Sequence, residues 1–132
     1  NVASGAGIAR LAAEAGLGER DAEQVFALAA SGNRKARKVL ERFAQHLARG
    51  ACTVIALLNP EALILTGRVC RSSAQFMPAF EAELDRVLLP ALRERTPIHV
   101  GDYKESEASR GGAALVLHHI FTSSHVNLSE IL

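Results

Sequence analysis

From Arg34 to Leu58 apolar side chains return with a period near 3.6: Ala36, Leu40, Phe43, Leu47, Val54 and Leu58 share one face. The other face carries Arg34, Lys35, Arg37, Lys38, Glu41, Arg42, Gln45 and Arg49. About seven turns of this pattern predict the longest helix of the chain, capped by Asn33, with its charged side in water. Upstream, Ile8, Leu11, Ala12 and Ala15 predict a helix over 5–15 that Ser4 or Gly5 caps and Gly16 and Gly18 stop. Asp21 followed by Gln24 has capping-box spacing, which starts a second helix with Val25, Phe26 and Leu28 inward and an end at Gly32.

The period changes at Pro60, which disfavours helical backbone at Asn59 and forces the chain to turn. Ala62 to Thr66 then reads as a short strand whose continuous apolar run, bounded by Pro60 and Gly67, suits a parallel sheet covered on both faces. Beyond it, Phe76, Phe80, Leu84, Val87 and Leu88 make a helical stripe with Pro78 in the first turn, and Pro90 starts a short turn. Thr96 to Asp102 contains a second strand between breakers, and Ala108 to Thr122 a closing helix. Gly111 and Gly112 each weaken that helix by roughly 1 kcal/mol relative to Ala, which predicts a close backbone approach there. The order defines a helix-rich α/β chain with two short strands and about five helices.

Composition narrows the class. The 132 residues, 48% of them apolar, suffice for one core and are read as a single unit over 1–132. A formal charge of +1 with acids and bases interspersed lacks the basic stripe of a nucleic-acid surface. No apolar run approaches the roughly 18 residues of a membrane span, so no membrane partner and a cytoplasmic location are expected.

Candidate chemistry is sparse. Cys52 and Cys70 lack clustered histidines and read as free thiols, with no metal site. His118 and His119 are adjacent on a helix and point about 100° apart, so they do not chelate as an i, i+4 pair does. Asp102, Glu105 and Glu107 form a carboxylate group without a nucleophile or base partner, and His99 takes an outward strand position. Gly67 opens the loop at the C-terminal end of the first strand, where open α/β sheets bind ligands.

Leu57-Leu58-Asn59-Pro60-Glu61, the apolar strand and Gly67, with Ala3-Ser4-Gly5 before and Ser109-Arg110-Gly111-Gly112-Ala113-Ala114-Leu115 after, resemble the C-terminal half of the ROK family. That family contains sugar-responsive transcriptional repressors and sugar kinases. The resemblance runs from about Asn1 to Phe121. It implies the C-terminal part of an actin- and hexokinase-like, ribonuclease-H-like lobe, and hence a fragment. The catalytic aspartate, the sugar ligands and the Cys/His zinc motif of the kinases would all precede Ala3-Ser4-Gly5, leaving no catalytic residue and no cofactor in this chain. Thr66-Gly67-Arg68 corresponds to the nucleotide-side loop that commonly carries Gly-Gly, with Arg68 in place of the second glycine. ATP and Mg²⁺ are implied only for a kinase. Gly67 merely ending the strand, with Arg68 solvated, is the alternative. The resemblance implies part of the effector-binding and oligomerisation domain of a regulator, not catalytic by itself, or else the nucleotide side of a sugar kinase. The partners it implies are a second copy in a homodimer, a sugar or sugar phosphate effector, and DNA only through an upstream helix-turn-helix.

Overall fold

The computed structural model describes residues 3–101 and 107–122. The chain divides into two compact units, Asn1–Asp102 and Tyr103–Leu132.

In the first unit, α1 (Gly5–Glu14), α2 (Ala22–Ala30) and α3 (Arg34–Leu58) begin at the caps their sequences provide. Ser4 Oγ accepts from the Gly7 N–H at 3.1 Å, and Asn33 Oδ1 accepts from Lys35 and Ala36. Asp21 and Gln24 form the reciprocal box, with Oδ1 of Asp21 accepting from the Gln24 N–H at 2.8 Å and Oε1 of Gln24 from the Asp21 N–H at 3.2 Å. Each pairing satisfies a donor that the helix itself leaves open. α3 ends where Asn59 turns left-handed at φ 43°, a conformation Asn tolerates, and Pro60 follows.

α3 packs against α1, α2 and α4 (Met77–Val87). Its first half buries Ala36, Val39, Leu40, Phe43 and Ala44. Farther along, the buried face moves to Ala48, Ala51 and Ile55, so Val54 and Leu58 leave the stripe expected of them and stand 40% and 72% exposed. The cause is the change of neighbour. Near the end of α3, Arg49 reaches Glu83 and the Cys52 thiol donates to the Val87 carbonyl at 3.6 Å, both on α4. The charged face of α3, from Arg34 to Arg49, is exposed as expected.

Phe76 closes this core from the far side. It packs edge-on to Phe43 with ring centroids 5.3 Å apart and tilts against Phe26 at 6.4 Å. Pro78 sits in the first turn of α4, where a missing N–H costs no hydrogen bond. The turn expected at Pro90 is a short helix, α5 (Pro90–Arg95).

β1 (Leu63–Leu65) pairs in parallel with β2 (Ile98–Val100), with Leu63 opposite Ile98, Ile64 opposite His99 and Leu65 opposite Val100. Thr96, fully buried, donates its hydroxyl to the Pro60 carbonyl and ties the entrances of the two strands together. Leu63, Leu65 and Ile98 pack on the helical core, whereas Ile64 is 64% exposed. Within the first unit, therefore, only one face of the sheet is covered. The apolar run of β1 does not alternate, so its sequence carries no sign of which face is open.

The second unit holds α6 (Glu107–Thr122). Within this unit nothing lies within 4 Å of where a Cβ would stand on Gly111 or Gly112.

Candidate functional site

The loop expected to face a ligand leaves the C-terminal end of β1. The Gly101 N–H donates to the Leu65 carbonyl at 2.8 Å, and a Cβ on Gly101 would stand 3.5 Å from the Thr66 side chain, so the two strand ends come together there. Gly67 adopts φ 118° and ψ 171°, a backbone region open essentially to glycine. This turn starts a 3-10 helix, Arg68–Gln75, kinked at Ser72, where φ −109° and ψ 27° leave the helical region; the sequence reading missed it. Its signal was the weak one of scattered polar residues, and its place is set by packing on α2 and α4.

The 3-10 helix, α1 and α2 line a half-open cavity of about 840 Å³. Arg68 is in its wall, while Thr66 and Gly67 are not, so only one of the three candidate loop residues reaches it. Arg71 and Ser72 join Arg68 on one side, and Asp21, Glu23 and Phe26 come from the start of α2. The charges balance, two carboxylates against two guanidiniums. Asp21 had been legible only as a helix cap, because its second role depends on a contact with a helix almost 50 residues away. The helix starts beside the cavity have part of their donor capacity already taken, since the Gly7 N–H is bound to Ser4 and the Gln24 N–H to Asp21.

His99 is exposed on β2, and His118 and His119 are exposed on α6. Asp102 and Glu105 fall outside the described residues, as does the side chain of Glu107. Cys52 and Cys70 are free and half-buried, and burial pushes the Cys70 thiol above its ordinary value. Among the described residues no three His, Cys, Asp or Glu side chains gather as metal ligands, and no helix is long and apolar enough to cross a membrane.

Comparison with known proteins places this architecture. A model of the ROK family matches residues 1–119, and the chain belongs to that family. It is 41% identical over 68 residues to the bifunctional enzyme NanE/NanK of Brucella melitensis biotype 1 and to that of Brucella suis biovar 1, a match covering 52% of this chain and 13% of each relative. In structure it is similar to a ROK family transcriptional regulator, a homologue of the E. coli Mlc protein, with a TM-score of 0.72 and 24% identity. That likeness covers 86% of this chain and 31% of the regulator, and at this identity it speaks for the fold.

Proposed function

We propose that this chain serves as the C-terminal part of the effector-binding and oligomerisation domain of a sugar-responsive ROK transcriptional regulator, and that it does not catalyse phosphoryl transfer by itself. The observation that carries the reading is Arg68. It lines the cavity at the loop position where the kinases of the family commonly place a second glycine, which would let backbone approach a nucleotide. Two carboxylates share the wall, and a polyphosphate near them would meet repulsion as well as attraction. A nucleoside triphosphate therefore fits poorly, and no catalytic step is assigned to this chain.

In this reading the chain completes an actin- and hexokinase-like lobe in the cytoplasm, a sugar or sugar phosphate binds elsewhere in the full-length protein, and DNA is contacted through an upstream helix-turn-helix. A homodimer fits the open sheet: β1 and β2 each keep an outer edge without a ladder partner among the described residues, and such edges are normally covered. Sedimentation equilibrium at micromolar concentration tests that part, with a stable monomer as the contrary result.

The second reading, the nucleotide-side portion of a ROK sugar kinase, is favoured by the 41% identity to the Brucella enzymes. One pair of experiments on the full-length gene product separates the two. The regulator reading expects its upstream DNA to be retarded in a gel and released by a sugar. A coupled assay with glucose, N-acetylglucosamine or N-acetylmannosamine and Mg-ATP is expected to show no turnover above a heat-killed control, and turnover would select the kinase.

A further inference from the structure

Glu23 in the first turn of α2 and Arg68 at the start of the 3-10 helix line the same cavity without forming an ion pair. Among the described residues neither has a hydrogen-bond or ionic partner. Of the other two charges in the wall, Asp21 spends one carboxylate oxygen on the Gln24 N–H, and Arg71 has an interaction of its own. Phe26 and Val69 contribute apolar lining. The cavity, about 840 Å³, lies within the roughly 300–1,000 Å³ typical of small-molecule sites. It thus offers, among the described residues, a carboxylate and a guanidinium without partners, beside apolar surface.

We infer that this cavity binds a small zwitterion, its ammonium group on Glu23, its anionic group on Arg68 and its apolar body against Phe26 and Val69. Only that class uses both free charges at once. A polyanion would gain Arg68 but face Glu23 and Asp21, a simple cation would gain Glu23 but face Arg68 and Arg71, and a neutral ligand would leave both charges unused. The inference rests on the cavity not being a nucleotide site, as proposed above, and names the ligand class it takes instead.

The probes are 6-aminohexanoate with its shorter and longer homologues 4-aminobutanoate and 8-aminooctanoate, and the singly charged hexanoate and hexylamine. Each is titrated into the 132-residue chain, with binding followed by amide chemical shifts. The best zwitterion is expected to bind about fourfold more tightly than either singly charged analogue, as one additional exposed charge contact would give. Saturable shifts should centre on residues 22–26 and 67–72. Arg68→Gln should reduce the preference over hexylamine to none, and Glu23→Gln should do the same for hexanoate. Both positions are exposed, and unchanged amide spectra without ligand would verify folding of the variants. Equal affinity for zwitterionic and singly charged probes, or no binding by any of the three zwitterions, overturns the inference while leaving the regulator reading to its DNA test. Mg-ATP binding at this cavity more tightly than every zwitterion overturns both.

Discussion

Arg49 on α3 donates from Nε to Oε1 of Glu83 on α4 at 2.9 Å, joining positions 34 residues apart in the chain. Glu83 is the one carboxylate among the described residues drawn into the core surface, 7% exposed, and Arg86 holds it from its own helix through two further hydrogen bonds of 2.9 and 2.8 Å. Hydrogen bonds from Arg86 first, then from Arg49, lower its pKa from 4.5 to about 2. A depressed carboxylate contributes stability that is present above its unfolded pKa and lost as pH falls toward its folded one. The melting temperature is therefore expected to drop between pH 4.5 and about 2, and Glu83→Gln is expected to flatten that part of the profile. Circular dichroism melts of both proteins across this window check it. An identical acid slope in the variant would assign the loss to other carboxylates.

How far such relationships were legible depends on their range. The Asp21 and Gln24 box and the Asn33 cap involve residues two or three apart, so spacing alone reveals them. The Arg49 and Glu83 pair depends on how α4 crosses α3: Arg49 reads as part of a solvated helix face, and no sequence pattern singles out Glu83. The drift of the buried face toward Ala48 and Ala51 was hidden for a related reason: alanine is a weak hydrophobic signal, while the stronger Val54 and Leu58 point outward. Around the cavity, Gly67 announced a turn, but the approach of α2 to the 3-10 helix left no mark on either segment.

The aromatic contact at the centre of the core supplies a second prediction. Phe76 is 1% exposed and meets the Phe43 ring nearly perpendicular, at 88°. Phe76→Ala is expected to cost about 3–5 kcal/mol, combining lost transfer energy with the cavity left behind. A double-mutant cycle with Phe43→Leu and Phe76→Leu, read by urea denaturation, should return a coupling of about 0.5–1.5 kcal/mol. Strict additivity would show that burial alone, without ring geometry, accounts for the pair.

The capping box offers a smaller and more local test. Asp21→Ala removes the acceptor of the Gln24 N–H and is expected to cost about 1 kcal/mol. Asp21→Ser keeps a capping oxygen and should recover most of that loss. Because Asp21 also lines the cavity, Gln24→Ala provides the control that disturbs the box without changing the charge of the wall. Chemical denaturation of the three variants is sufficient to rank them.

Two glycines should respond to the same substitution with opposite signs. Gly50 lies inside α3, exposed, and a Cβ there would meet nothing within 4 Å. Alanine loses less backbone entropy on entering a helix, so Gly50→Ala is expected to stabilise by about 0.5–1 kcal/mol. Gly67 also has open space around its Cα, yet its φ of 118° at ψ 171° is a region that a side chain rarely adopts. Gly67→Ala is therefore expected to destabilise by about 1–3 kcal/mol, or to relax the turn that sends Arg68 into the cavity wall. Melting temperatures give the two signs, and amide shifts over 67–72 separate the two outcomes for Gly67. If Gly67→Ala left both stability and those shifts unchanged, the turn would not depend on glycine, and the placement of Arg68 would have to come from the packing of the 3-10 helix on α2 and α4.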